Sequence, residues 1–319
     1  MNRHPTGRRR LAPSRRRQRG VALITALLVV ALATIAAVAM AARQHVDIRR
    51  SANVLMHDQA YQYAVAGEQW AAQILMRDRR DNDTDHLGEP WAQVLPPMPL
   101  DEGTLAGALE DLQGRFNLNN LLLESGEPSL PDVARFMRLL HVLELDDALV
   151  DTVLDWIDPN IEPTVPDGAE DTHYLGLEAP YRTPNQLMAS VSELRLIKGV
   201  DAEVYQALAP YVTALPGRTA INVNTAPAPV IAALAPAGMS LPEAEALVEA
   251  RDEEGYPDLD TFLAQFPGQD VSTDGLSLAT AHFLLRVEVR MGSARLNLYS
   301  VLQRHDQGVV TLARGQGAL

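Results

Sequence analysis

The sequence predicts an α+β protein in which a long N-terminal helix precedes an antiparallel sheet and a large all-α segment is inserted between strands. Three observations support this prediction. Residues 21–89 contain no proline and keep a helical pattern of apolar positions. Residues 282–312 alternate apolar and polar side chains, as half-buried strands do. Between these regions, short helical segments are separated by proline or glycine every 10–20 residues.

Composition already excludes several classes of protein. The 319 residues carry 27 basic and 41 acidic side chains, a net charge of −14, and no cysteine. The missing cysteine excludes disulfides, thiolate nucleophiles and cysteine-ligated zinc. Eight arginines fall within residues 1–20, so the rest of the chain holds 19 basic and 41 acidic residues, a net charge of −22. An acidic body repels phosphate, and we therefore expect no nucleic-acid partner.

Residues 21–42 are 22 consecutive residues without a charge. A helix of that length is roughly 33 Å long, enough to cross a bilayer core and longer than a secretory signal core. The arginine-rich flank predicts that the amino end stays in the cytoplasm and the following body lies outside. The alternative is a buried core helix after a basic tail.

The junction between the basic head and the apolar segment is specific. Arg19 and Gly20 are followed at once by Val21. This junction resembles the leader of type IV prepilins, found in pilins and in type II secretion pseudopilins. The resemblance implies that a prepilin peptidase cuts after Gly20 and methylates Val21. Most members of the family carry glutamate at the fifth mature position, where this chain has Thr25.

The absent glutamate, the large size and the segment 111–119 make the chain similar to the minor pseudopilin K family of type II secretion. The resemblance implies a pilin-like fold and a non-enzymatic role at the pseudopilus tip, where the protein would help to start assembly and the export of folded proteins across the outer membrane. It also implies a single-pass inner-membrane protein with a periplasmic body. The implied partners are the I-, J- and H-type minor pseudopilins.

The predicted organisation follows the chain. We expect a leader (1–20), a transmembrane helix half (21–42), a periplasmic helix half with the first strands (43–118), an inserted α-helical domain (119–280) and C-terminal strands (281–319). The long helix should span about 55 residues. Within the sheet-forming parts we expect a loop at 90–99, one or two strands in 104–118, and strands at 282–291, 294–303 and 309–312.

The insert is predicted to be a small-helix module. Residues 194–200, with the helix after them, resemble one helix-hairpin-helix (SAM-like) unit, and residues 226–251 are a second candidate. Residues 116–280 hold 7 basic and 27 acidic side chains, which favours packing over DNA binding. The expected helices are 131–145, 146–156, 184–190, 191–197, 202–211, 228–234, 241–251 and 259–266.

A cluster of oxygen-bearing side chains lies within residues 151–171, on a loop rich in proline and glycine. Carboxylates and amides on an irregular loop are the ligands that Ca²⁺ prefers. The EF-hand pattern fails, because Pro163 and Ala169 occupy its sixth and twelfth positions. A solvated acidic loop remains the alternative from composition, whereas the family resemblance implies a structural Ca²⁺. The candidate ligands are Asp155, Asp158, Asp167, Glu170 and Asp171, with Asn160 and Glu162 as weaker candidates.

Other chemistry has little support in the sequence. The eight histidines show no metal-ligand spacing, and G-x-S-x-G, Walker A and G-x-G-x-x-G patterns are absent. We therefore predict no catalytic residues and no organic cofactor. Two other functions stay open: a membrane-anchored periplasmic hydrolase using carboxylates of the acidic loop, and an uncleaved single-pass binding protein.

Overall fold

A computed structural model of the chain describes residues 18–251 and 254–317. It divides into two compact units whose boundary in the chain lies between Met56 and His57. The predicted leader, residues 1–20, lies outside the described residues except for its last three.

The first helix, α1 (Gln18–Asp81), has 64 residues and exceeds the expected 55. Arg79 and Arg80 occupy its last turn, where positive charge complements the helix dipole. In the first unit every side chain from residue 20 to residue 55 is exposed, apolar ones included. An 18-residue window there reaches a mean hydropathy of 2.8, so the helix is long and apolar enough to cross a membrane.

In the second unit α1 packs on a five-stranded antiparallel sheet of order β1-β2-β7-β8-β9. Along β7, every second residue from Phe283 to Met291 is buried, which confirms the alternation expected for this strand. Gly67 of α1 faces this strand, where a Cβ built on it would lie in ordinary van der Waals contact with Val287, at 3.4 Å. The strands are β1 (Leu95–Leu100), β2 (Gly103–Asp111), β7 (His282–Met291), β8 (Ala294–His305) and β9 (Gly308–Gln316).

A buried carboxylate on α1 forms hydrogen bonds with the C-terminal strands. Glu68 accepts hydrogen bonds from Ser300 (2.5 Å), Thr311 (2.8 Å) and Arg314 (2.7 Å). Burial alone would raise the pKa of Glu68, but these donors, led by Arg314, hold it below its usual value.

The all-α segment leaves the sheet after β2 and returns at β7, and these two strands pair directly, from Gly103↔Met291 to Asp111↔Phe283. This confirms the predicted insertion. The segment has its own apolar core, in which Phe116 stacks on Phe136 at 5.5 Å and Trp156 meets Tyr174 edge-on at 5.5 Å. Its helices are α2 (Leu130–Val142), α3 (Ala148–Ile157), α4 (Asp171–Tyr174), α5 (Ala202–Leu208), α6 (Ala228–Leu234), α7 (Leu241–Ala250) and α8 (Leu259–Leu263).

Short elements complete the insert. Two parallel pairs that the sequence did not reveal each join one end of the insert to its middle, β3 with β4 and β5 with β6. Short 3₁₀ helices lie at Leu118–Leu121, Val191–Leu196 and Ala209–Tyr211. The four strands are β3 (Phe116–Asn117), β4 (Val212–Thr213), β5 (Ile221–Asn222) and β6 (Leu276–Ser277).

Two sequence expectations are wrong. The loop expected at 90–99 contains a 3₁₀ turn (Pro90–Ala92) and strand β1, whose three prolines are tolerated because β1 lies at the sheet edge. The helix expected at 184–190 does not form. There Asn185 has a left-handed φ of 46°, and the backbone of Met188 bonds both ways to the Asn119 side chain instead of to a helical neighbour.

The sheet and the insert meet at a buried carboxylate at the end of β2. Asp111 accepts hydrogen bonds from Thr225 (2.6 Å), Asn222 (2.9 Å) and the backbone of Gln113 (2.6 Å). Burial raises the pKa of Asp111 to about 6 although these donors oppose the shift.

Candidate functional site

The acidic loop starts on α3, whose last turns bury Asp155 completely. Both carboxylate oxygens of Asp155 accept from the backbone of Thr164, at 3.0 and 3.1 Å. The loop folds back so closely that a Cβ on Gly168 would lie 2.2 Å from Asp155 Oδ2 and 2.4 Å from the Thr164 carbonyl oxygen. Only glycine fits this contact, so the loop is closely packed around the carboxylate rather than freely solvated.

Asp158 caps the C-terminal end of α3 and is 6% exposed. One of its oxygens accepts from the backbone of Asn160 at 3.1 Å. Burial raises the pKa of Asp158, and the charge of Asp155 raises it further.

Glu170 completes the group from the residue before α4 and is 2% exposed. Its Oε2 accepts from the Thr183 hydroxyl at 2.9 Å, whereas Oε1 is buried without a hydrogen-bond partner among the described residues. Burial raises the pKa of Glu170, and the charges of Asp155 and Asp158 add to that shift. The charge of Asp155 thus acts on both Asp158 and Glu170, so the three buried acids repel one another.

The other two candidate ligands have different surroundings. Asp171 forms an ion pair with Arg182 and accepts from the backbone of Thr183 at 3.2 Å. Asp167 is exposed, and its carbonyl oxygen accepts from Lys198 Nζ at 2.9 Å. These two basic side chains therefore contact the rim of the loop rather than the three buried carboxylates.

The sequence reasoning missed Asn185. Its side-chain amide donates to the carbonyl of Asn160, and its Oδ1 is buried without a partner in the described part of the chain. Asparagine tolerates the left-handed conformation found here, so the backbone can hold the amide against the loop. No spacing rule links it to the cluster, because it lies 25 residues after Asn160.

The donor set has a clear chemical preference. The site holds buried carboxylates, together with one carboxylate oxygen and one amide oxygen that have no partner among the described residues. All of these are hard ligands, and neither sulfur nor imidazole belongs to this set. Buried like charges are costly without a cation. The arrangement therefore fits a hard divalent cation such as Ca²⁺.

The predicted processing residues, Gly20 and Val21, lie in the first turns of α1 and are exposed. A Cβ on Gly20 would meet no atom within 4 Å. At the fifth mature position, the Thr25 hydroxyl donates to the Ala22 carbonyl oxygen at 3.0 Å.

Comparisons with known proteins agree on one family. Two family models described as type II secretion system (T2SS), protein K, match residues 114–217 and 221–282. The type II secretion system protein K of Pseudomonas aeruginosa is 42% identical over 323 residues, covering 96% of this chain and 95% of the relative. That of Aeromonas hydrophila is 35% identical, covering 96% and 99%.

A solved structure has the same fold. A chain in the crystal structure of the GspK-GspI-GspJ complex from the enterotoxigenic Escherichia coli type 2 secretion system superposes with a TM-score of 0.74 at 29% identity. The match covers 85% of this chain and all of the other. The pilin-like fold with a helical insert, expected from the resemblance, is therefore confirmed.

Proposed function

We propose that this chain, which belongs to the type II secretion system protein K family, is a minor pseudopilin that caps the pseudopilus tip and helps to start its assembly and the export of folded proteins across the outer membrane. The observation that carries the proposal is the insertion between two directly paired strands, β2 and β7. The inserted segment has its own core, and its bulk would obstruct a further subunit. Thr25 supports the tip position, because its hydroxyl is bonded within its own helix and offers no carboxylate to a subunit above.

The proposed partners are the I-, J- and H-type minor pseudopilins. The similar solved chain was crystallised in a complex with GspI and GspJ, and this chain covers all of that chain. Co-purification of the full-length chain in detergent with its I- and J-type partners tests the proposal. Failure to associate, together with hydrolase activity that is lost on changing the acidic loop, would favour the membrane-anchored enzyme instead.

For the membrane segment we propose processing by a prepilin peptidase after Gly20, methylation of Val21, and a single inner-membrane anchor with a periplasmic body. The 22 uncharged residues and the eight arginines before them support this orientation. Removing the arginine-rich head would leave the apolar helix at the mature amino terminus.

In the acidic loop we propose a structural Ca²⁺ held by Asp155, Asp158 and Glu170, with the Asn185 amide oxygen as a neutral ligand. The observation that carries this proposal is Glu170 Oε1, which is buried without a hydrogen-bond partner in the part of the chain that the structure describes. Asp167 and Asp171 remain candidates, although Asp171 already pairs with Arg182. When bound, Ca²⁺ supplies the positive charge that the buried carboxylates lack. Calorimetry of the full-length protein in detergent should show heat on Ca²⁺ addition, and its absence would reject the site.

A further inference from the structure

A second group of buried acids lies where α1 ends. Asp78, Asp85 and Glu89 are 8%, 1% and 4% exposed, and one carboxylate oxygen from each lies within 4.8 Å of the others. A single guanidinium reaches them from β8: Arg304 Nη1 lies 2.8 Å from Asp78 and Nη2 lies 2.6 Å from Asp85. Three ionised carboxylates and one guanidinium would leave a net charge of −2 in a buried site.

The other groups facing the cluster are mostly neutral. His86 places Nε2 3.5 Å from Glu89, and its Nδ1 is buried without a partner among the described residues. Strand β7 contributes the Phe283 ring, 5.0 Å from Arg304 Cζ. The segment entering β7 contributes Thr280, whose backbone N–H donates to Asp85 at 2.7 Å. Of the residues that the structure describes, Arg304 is therefore the permanent cation in contact with these acids.

The three carboxyl groups differ in the hydrogen bonds that the protein donates to them. Asp85 accepts hydrogen bonds from Arg304 on both carboxylate oxygens and one from the backbone N–H of Thr280. Glu89 accepts from Asn82, the backbone of His86 and the Trp91 indole. Asp78 accepts a hydrogen bond from Arg304 on one oxygen only. It also lies in the last turn of α1, where the helix dipole disfavours negative charge.

We propose that this cluster binds a proton at neutral pH, held on the Asp78 carboxyl, and that the bound proton allows α1, the 85–89 segment and β8 to close on one another. Like charges this close in a buried site cannot all remain ionised at low cost, so one carboxyl group stays neutral. Hydrogen bonds also link this cluster to the insert. The Asp85 carbonyl oxygen accepts from Asn222 at 3.0 Å, and the Asp85 N–H donates to the Leu278 carbonyl oxygen at 2.8 Å.

The pKa of Asp78 determines the pH range over which the bound proton is lost. Burial, and then the charges of Glu89 and Asp85, raise the pKa of Asp78 to about 7, although Arg304 opposes the shift. A carboxyl whose pKa is raised on folding stabilises the protein below its unfolded pKa, near 4, and that stabilisation is lost as the pH rises through about 7.

The test compares thermal unfolding of the full-length protein in detergent and EDTA between pH 5 and pH 8, for the wild type and Asp78→Asn. The asparagine mimics the protonated acid. Over this range the melting temperature of the wild type should fall by about 5 °C more than that of D78N. The matched control Asp306→Asn, on the exposed β8–β9 turn, should behave like the wild type.

Further variants locate the proton. Glu89→Gln removes one repelling charge, which lowers the pKa of Asp78 toward its unfolded value. The loss of melting temperature between pH 5 and pH 8 should therefore be smaller than in the wild type, and this variant keeps the proposal testable if D78N does not fold. His86→Gln should leave the wild-type loss intact. Parallel pH profiles for D78N and the wild type would overturn the proposal, as would a loss abolished by His86→Gln. A gain in melting temperature with Mg²⁺ that D78N lacks would show a cation site instead.

Discussion

The protein contains two groups of three buried carboxylates, one in the insert and one at the end of α1. Repulsion among the carboxylates is offset differently in the two groups. At the end of α1, Arg304 enters the group from β8 and bonds two of the acids. In the insert, the basic side chains near Asp155, Asp158 and Glu170 contact only the rim of the loop, and Glu170 Oε1 has no described partner. The first group is partly compensated by a side chain of the protein, whereas the second has no such contact, and there we propose a cation from solution.

Removing the Arg304 guanidinium should have the largest effect on the free energy of unfolding. Arg304→Met leaves three buried carboxylates without a guanidinium and should lower the free energy of unfolding by about 3–5 kcal/mol, measured by urea denaturation. Ca²⁺ should not restore the loss. Arg79→Met, which removes only exposed pairs, should cost less than about 0.5 kcal/mol. Equal losses in the two variants would contradict an internally compensated group.

Removing one proposed ligand should abolish the response to Ca²⁺ in the other group. Saturating Ca²⁺, at about 100 times its dissociation constant, should stabilise the wild type by about 2.7 kcal/mol. Glu170→Gln should lose most of this gain, because a neutral amide replaces the carboxylate whose Oε1 has no hydrogen-bond partner among the described residues. Glu178→Gln, on the exposed surface, should keep it. An unchanged Ca²⁺ response in E170Q would exclude Glu170 as a ligand.

Closing the contact under the acidic loop should have an intermediate effect. Gly168→Ala places a Cβ against Asp155 and Thr164 and should cost about 2 kcal/mol while weakening Ca²⁺ binding. Gly308→Ala is the control, because a Cβ there meets no atom within 4 Å. Denaturation of both variants, with and without Ca²⁺, checks the prediction, and a G168A protein as stable and as responsive as G308A would contradict it.

The smallest effect is expected from the neutral ligand. Asn185→Ala removes the amide that bonds Asn160 and should reduce the Ca²⁺-dependent stabilisation by about 1 kcal/mol. Asn185→Asp should retain Ca²⁺ binding, because it keeps an oxygen at the same place. Calorimetric titration of both variants decides whether the amide oxygen contacts the ion.

The sequence predicted the parts of the fold that local periodicity determines. The proline-free pattern gave α1, and the alternation after residue 282 gave β7 and β8. Strand β1 was missed because its prolines signal a loop unless its edge position is known. The helix expected at 184–190 failed because Asn119, 69 residues away from Met188, supplies the bonds that a helix would have made internally.

The candidate sites show the same limit. Clustered carboxylates in residues 151–171 were visible in the sequence, but their separation into buried and rim positions depends on the folded loop. The group at the end of α1 could not be found, because Arg304 lies 226 residues from Asp78. Contacts over such distances leave no local pattern to read.

The most direct test of the central proposal, a processed minor pseudopilin, is mass spectrometry of the mature amino terminus from membrane-derived protein. The mature chain should begin at Val21 with a methylated amino group and should have lost the eight arginines of the head. A chain that keeps Met1, or one cut at another position, would contradict it.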